Sequence, residues 1–280
     1  LAGDAITSAD FNIAIGGQAL GGNVLGGNSV AVGHAALLVQ NPATATDMYN
    51  VAVGASAGVN VTTAVENTLI GGLAGDALTT GGFNVAVGFG ALTTEDTGSR
   101  NVAIGYEALE NQNSDTTNYN VAVGFQAGRS ITTGTGNTIS GGLAGSSMDT
   151  GFANQLFGFE AGLNLTDADY NVAIGYEALD ADVKGNRAVA IGHAALGSQS
   201  FSTSTDNYNV AIGFQAGTAV TTAVDHTLIG GLAGDALTTG TRSVAVGRSA
   251  LSTETTASRS VAVGNSALSV QNVGGSGDSL

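Results

Sequence analysis

The 280-residue sequence contains no cysteine, no tryptophan and one proline, and only 7 of its residues are lysine or arginine. Without cysteine the chain forms no disulfide, no thiolate metal site and no cysteine nucleophile. Seven bases against 22 acidic residues leave a net charge of −15. We therefore expect no nucleic-acid partner, because phosphate binding requires clustered cations. No stretch approaches the roughly 18 consecutive apolar residues of a transmembrane helix, so we also expect no membrane insertion.

Glycine is the residue in excess, with 44 copies against an ordinary usage of about 7%. Its spacing lacks the one-in-three period of collagen. It follows instead a nine-residue pattern, Asn-Val-Ala-(Val/Ile)-Gly-x-x-Ala-(Leu/Gly), which recurs fifteen times. Eleven of the fourteen intervals are 17 residues, and the other three are 19 or 21. The copies begin at residues 12, 29, 50, 67, 84, 101, 120, 137, 154, 171, 188, 209, 226, 243 and 260.

This repeat predicts an all-β fold. A 17-residue unit is too short for a helical hairpin, and the residues at positions 2 to 4 followed by glycine at position 5 favour a short strand and a tight turn. We expect a single parallel β-solenoid domain over residues 1–280, with one coil per repeat and coils stacked about 4.8 Å apart. Glycine at position 5 and alanine at position 8 occur in all fifteen copies, for example Gly54, Gly105, Gly124, Ala57, Ala108 and Ala127.

Asparagine occupies position 1 in ten of the fifteen copies, among them Asn50, Asn101 and Asn120. Stacked coils would align these side chains, and aligned amides can bond from one coil to the next. We therefore predict a structural asparagine ladder.

Both faces of each predicted strand are apolar. Side chains alternate along a strand, so position 3, which is alanine in eleven copies, lies opposite positions 2 and 4. A solenoid has one interior, so a second apolar face predicts contact between identical chains. Because alanine permits close approach, we expect the inter-chain face to contain Ala52, Ala86, Ala103, Ala122 and Ala173.

The copies at Asn101 (Asn-Val-Ala-Ile-Gly-Tyr-Glu-Ala-Leu) and Asn67 (Asn-Thr-Leu-Ile-Gly-Gly-Leu-Ala-Gly) resemble the head repeats of YadA-like trimeric autotransporter adhesins. Similar repeats occur in phage tail fibres, including marine ones, and the resemblance covers nearly the whole chain. It implies a left-handed β-roll, a homotrimeric rod and an extracellular adhesive role. The 17-residue coils are longer than is typical of adhesin heads. Both a virion tail fibre and a bacterial surface adhesin stay open, and the acidic returns and the absence of an anchor domain in this sequence favour the phage fibre.

Three long coils interrupt the regular spacing, with insertions in segments 38–49, 110–119 and 197–208. Loops on a rigid scaffold are favoured binding sites. We therefore predict contact with a cell-surface glycan or protein receptor at Pro42, Tyr49, Tyr119 and Tyr208. Two alternatives are that these tyrosines pack on the rings at position 6, such as Phe125 and Phe214, or that the segment is a passive spacer.

The sequence offers no motif for catalysis, so we expect no enzyme, no cofactor and no metal site. It contains no Gly-x-Ser-x-Gly elbow, no His-Glu-x-x-His and no phosphate loop with lysine. His34 and His193 lie nine coils apart in one chain, too far to share a metal. The aspartates Asp167 and Asp169 lack the Gly-Gly-x-Gly-x-Asp context of calcium-binding solenoids.

Ice binding is the alternative from another functional class. Threonine pairs at positions 13 and 14 would stack on one side of the solenoid, and Asp96, Asp149 and Asp167 interrupt them. The pairs are Thr62/Thr63, Thr79/Thr80, Thr132/Thr133, Thr221/Thr222, Thr238/Thr239 and Thr255/Thr256.

Overall fold

The computed structural model of the chain describes residues 1–256 and 258–270. Those residues form an all-β parallel solenoid of about fifteen coils, in which no helix occurs. The chain divides into two compact units, Leu1–Asn137 and Thr138–Leu280. In both units one repeat makes one coil, as the 17-residue spacing predicts.

The first unit has a parallel sheet in which each strand pairs in register with the equivalent strand of the next coil. A second, two-stranded parallel sheet joins β2 (Gly26–Gly27) to β4 (Thr46–Asp47) in the first long coil. The strands of the main sheet are β1 (Ile13–Ile15), β3 (Val30–Val32), β5 (Val51–Val53), β6 (Thr68–Ile70), β7 (Val85–Val87), β8 (Val102–Ile104) and β9 (Val121–Val123).

The second unit repeats this arrangement. Its two-stranded parallel sheet joins β13 (Gly185–Asn186) to β15 (Thr205–Asp206) in the third long coil. The strands of its main sheet are β10 (Thr138–Ser140), β11 (Gln155–Phe157), β12 (Val172–Ile174), β14 (Val189–Ile191), β16 (Val210–Ile212), β17 (Thr227–Ile229), β18 (Val244–Val246) and β19 (Val261–Val263).

Glycine at position 5 ends every main-sheet strand, and close stacking explains why no other residue replaces it. At Gly105 the backbone has φ of 140°, and a Cβ there would lie 2.1 Å from the carbonyl oxygen of Gly124 in the next coil. Later turns of the coil use left-handed residues with φ near 50°, such as Glu107 and Leu109. Side chains tolerate that region occasionally, whereas the region near 140° is essentially restricted to glycine.

The prediction of an alanine inter-chain face is wrong. Position 3 points into the coil, and Ala52, Ala86, Ala103, Ala122 and Ala173 are all fully buried within the single chain. The coil is narrow, so its interior takes the small side chain, while the branched residues at positions 2 and 4 point outward. Alternation along the strand separates the two faces but does not show which one is inside.

Side-chain volumes at positions 3 and 9 compensate each other, which keeps the interior of the coil filled. Where position 3 carries a large side chain, as at Leu69, position 9 in the same coil is glycine. A Cβ on Gly75 would lie 2.8 Å from Leu69 Cδ2 and from Leu78 Cδ1. Glycine at position 9 therefore makes room for leucine at positions 3 and 12.

The polarity of the residue at position 12 depends on the residue at position 9. In coils with glycine at position 9, the buried residue at position 12 is apolar: Val61, Leu78, Ile131, Met148, Leu165, Val220 and Leu237. In coils with leucine at position 9, it is polar: Asn23, Gln40, Glu95, Gln112, Asp182, Gln199 and Glu254. This second set of buried polar residues was not anticipated from the sequence.

The asparagine ladder is confirmed, and most of its hydrogen bonds go to backbone. Asn67 is fully buried; its Oδ1 accepts from the backbone N–H of Asn84, 2.9 Å away, and its Nδ2 donates to the carbonyl of Gly81 at 3.0 Å. Asn50, Asn101 and Asn120 are buried at the same position. Each ladder residue thus satisfies backbone groups that would otherwise lie unpaired in the interior.

Candidate functional site

The outward face of the main sheet is one candidate surface in each unit. Positions 2 and 4 carry no charged residue in any copy, and most are valine or isoleucine. Ile70, Ile104 and Val123 in the first unit, and Ile174 and Ile229 in the second, keep 37–39% of their surface exposed. An uncharged aliphatic surface repeated on successive coils is typical of an interaction face.

Aromatic side chains form a second feature, at position 6 just after the glycine corner. In the first unit Phe89, Tyr106 and Phe125 stack in sequence, with ring centroids 5.8 and 5.4 Å apart. In the second unit Phe159, Tyr176, His193 and Phe214 stack at 5.7, 5.3 and 5.2 Å. These residues are exposed, and acidic side chains lie beside them: a hydrogen bond to Glu107, with its negative charge, raises the pKa of Tyr106.

The tyrosines of the long coils are exposed as predicted: Tyr49 by 55%, Tyr119 by 62% and Tyr208 by 53%. The alternative placed them against the position-6 rings, but Phe125 and Phe214 stack on Tyr106 and His193 instead.

The three tyrosines have other neighbours. Tyr119 faces Arg100, whose guanidinium carbon lies 5.8 Å from its ring centroid. Tyr49 and Tyr208 each donate a hydrogen bond to the aspartate two residues earlier, at 3.4 Å.

Pro42 is buried, so the prediction that it contacts a receptor is wrong. The equivalent residue of the third long coil, Phe201, is also buried, with 6% exposed. An apolar residue at this position extends the core beneath the insertion. The exposed tips are the residues that follow it, such as Thr44 in the first long coil and Thr203 in the third.

A cavity of about 250 Å³ lies beside the first long coil, within the first unit. It is lined by Ser8, Ala9, Asp10, Phe11, Leu25, Gly27, Ala45, Thr46 and Asp47. The cavity is not visible in the sequence, because its walls come from three successive returns that share no motif. It combines two carboxylates with an exposed aromatic ring.

Within residues 1–256 and 258–270, no three or more histidine, cysteine, aspartate or glutamate side chains converge as metal ligands would. Over the same residues there is no helix of the length and apolarity needed to cross a membrane. His193 lies within the second aromatic stack, between Tyr176 and Phe214.

No protein-family model matches the chain, and comparisons with curated proteins and with solved structures give no match.

Proposed function

We propose that this chain is a structural and adhesive fibre segment that assembles with copies of itself, most simply as a homotrimer, in a phage tail fibre or a bacterial surface adhesin. The observation that carries the proposal is the uncharged aliphatic face at positions 2 and 4. It replaces the alanine face as the surface between chains. Its repetition on successive coils lets many small contacts add along the solenoid.

Charge supports this choice of face. Each chain carries −15, so three chains together carry three times that charge and repel one another through their acidic returns. Association must then bury a surface without acids, and positions 2 and 4 provide one. Because salt screens repulsion between exposed charges, the assembly should become more stable as ionic strength rises.

The long coils would carry the adhesive role. Tyr49, Tyr119 and Tyr208 are exposed on insertions that are held by stacked coils. Several copies on one fibre would bind a cell-surface glycan or protein receptor multivalently, which raises avidity without any new contact. The proposal includes no catalytic step, no cofactor and no metal.

Light scattering on the purified segment tests the assembly. We expect three times the 27.3 kDa chain mass. Ile104→Lys places a charge on the outward face, where Ile104 is 37% exposed, and should shift the mass towards one chain. Thr133→Lys adds the same charge on an exposed return of the same unit and should leave the mass unchanged. A monomeric parent chain, or equal effects of the two variants, would refute the proposal.

Ice binding is the alternative, supported by the second threonine, which is exposed in five of the six pairs, as at Thr63 and Thr80. The first threonine is already engaged: Thr62 and Thr79 donate their hydroxyls to carbonyls of the next coil, each at 3.0 Å. Only the second threonine column therefore remains for water, and residues such as Pro42, Asp167 and Lys184 interrupt it. Thermal hysteresis in dilute solution would favour this alternative, and its absence would leave the fibre proposal.

A further inference from the structure

Two segments of this chain, one in each unit, share the same backbone hydrogen bonds and strand pairing. The residue numbers of equivalent positions differ by 159. Asn28 N–H donates to the carbonyl of Asp10 at 3.0 Å, and Arg187 N–H donates to the carbonyl of Asp169 at 3.0 Å. Strands β2 and β4 pair in the same register as β13 and β15. The hydrogen bonds from Tyr49 and Tyr208 to their aspartates are both 3.4 Å long. The two sites can therefore be compared residue by residue.

In the second unit the chain fills this site with its own cations. Arg187 Nε lies 3.0 Å from Asp206 Oδ2, and its guanidinium carbon lies 4.7 Å from the centroid of the Tyr170 ring. Lys184 Nζ lies 3.1 Å from Asp167 Oδ2. Here a guanidinium held between a carboxylate and a ring face occupies the site.

Asn186 completes the second site. Its Nδ2 donates to Ser204 Oγ at 3.0 Å and to Asp206 Oδ1 at 3.4 Å, and its Oδ1 accepts from the N–H of Asp169 at 2.9 Å. This side chain spans the two-stranded sheet and closes the space beside the aspartate.

In the first unit the ring and two of the three aspartates are kept, but Ser8 stands where the second unit has Asp167, and the residues that fill the site are not kept. Leu25, Gly27 and Asn28 stand where the second unit has Lys184, Asn186 and Arg187, and Phe11 and Asp47 stand where it has Tyr170 and Asp206. The cavity of about 250 Å³ is the result. A Cβ on Gly27 would lie 3.3 Å from Asp47 Oδ1, so the asparagine of the other site would project into this space.

The charged groups agree with this comparison. Arg187 lies over the ring of Tyr170, whereas no cation lies over the ring of Phe11 in the described part of the chain. Neither Asp10 nor Asp47 forms an ion pair within the described part of the chain. A carboxylate beside an uncovered ring face, in a chain of net charge −15, attracts cations.

We propose that the cavity formed by residues 8–11, 25–27 and 45–47 binds an arginine side chain presented by a partner peptide. Its guanidinium would pair with Asp47 and lie over Phe11, as Arg187 does with Asp206 and Tyr170. Leu25 supplies an apolar wall for the aliphatic stem of the arginine. The volume is smaller than the 300–1,000 Å³ typical of pockets for drug-sized ligands, so it suits one side chain. Arginine is preferred over lysine because a planar guanidinium both stacks and pairs.

Ligand-observed NMR with N-acetyl-L-arginine amide tests the proposal on the full chain. We expect binding at least ten-fold tighter than that of N-acetyl-L-norleucine amide and tighter than that of the lysine amide. Asn28→Arg should fill the cavity from within, and Asp47→Asn should remove the charge partner; each should weaken binding at least ten-fold. The backbone tolerates the first change, since φ is 57° at Asn28 and 63° at Arg187.

The matched control is Asp115→Asn, which removes the same charge from an exposed site on the second long coil and should leave binding unchanged. An equal loss of binding in the control would show that net charge alone attracts the ligand and would overturn the proposal. Equal binding of all three amides, or undiminished binding by Asn28→Arg, would also overturn it. The chain mass of each sample separates this result from the assembly proposal, because the cavity lies outside positions 2 and 4.

Discussion

Replacing Gly105 by alanine should destabilise the chain far more than replacing Gly90, although both are glycines with positive φ in neighbouring coils. At Gly105, φ is 140° and the added Cβ would meet the Gly124 carbonyl oxygen at 2.1 Å. Strain in this region costs about 1–3 kcal/mol. Relieving the overlap separates the coils and weakens two backbone hydrogen bonds, from Gly105 to Val87 and from Gly124 to Ile104, both 2.8 Å long, each worth about 1 kcal/mol.

At Gly90 the same change meets little resistance. There φ is 66°, and the nearest atom to the new Cβ is the flexible Glu107 Cγ at 3.4 Å. Other coils carry side chains at this position with similar φ, Glu107 and Gln126 among them. We expect Gly105→Ala to lower the free energy of unfolding by about 3–5 kcal/mol and Gly90→Ala by about 1 kcal/mol. Urea denaturation followed by circular dichroism measures both, and similar midpoints for the two variants would refute the close-stacking argument.

Three further predictions concern buried polar residues, and urea midpoints at several pH values measure each. Asn67→Ala leaves two buried backbone groups unpaired and should cost about 2–4 kcal/mol; a loss below 1 kcal/mol would contradict this. Burial raises the pKa of Asp182, so stability should fall as pH rises from about 4 towards neutrality. Asp182→Asn, with Asn23 as its natural counterpart, should flatten that dependence. Burial lowers the pKa of His226, so its protonation should remove stability below about pH 6.5, and His226→Asn should prevent this.

Much of the fold follows from the repeat alone. The 17-residue period and the glycine at position 5 predict the coil, its strand and its sharp corner, and the recurring asparagine predicts the ladder. These features are visible in sequence because each coil must match the next one. Any side chain at Gly54 would strike the Gly71 backbone, where the Cβ would lie 2.3 Å from the carbonyl oxygen.

The orientation of the strand was not predictable from the same pattern. Ala103 and its neighbours Val102 and Ile104 are all apolar, so periodicity assigns them to two faces without showing which is interior. The width of the coil decides which face is interior. That width depends on how the side chains at positions 3, 9 and 12 pack against one another across the interior. The cavity beside Asp47 was missed for a related reason: its walls belong to different returns, and only the backbone brings them together.

The buried polar residues at position 12 explain how an insertion can be held rigidly. Inserted polar groups beneath the surface need partners, and the coil that precedes the second or the third insertion supplies an acceptor. Glu95 accepts from Asn118 Nδ2 at 2.9 Å in the second long coil, and Asp182 accepts from the N–H of Phe201 at 3.1 Å in the third.

The long coil itself contributes a glutamine that accepts from the ladder asparagine of the next coil, as Gln199 does from Asn209 at 2.8 Å. The exchange of glycine for leucine at position 9 therefore does more than fill space. The pairs of leucine coils that begin at residues 12 and 29, 84 and 101, and 171 and 188 are the places where the interior is polar enough to anchor a projecting loop. A loop anchored in this way loses little conformational entropy on binding, which would favour the receptor contact proposed for these insertions.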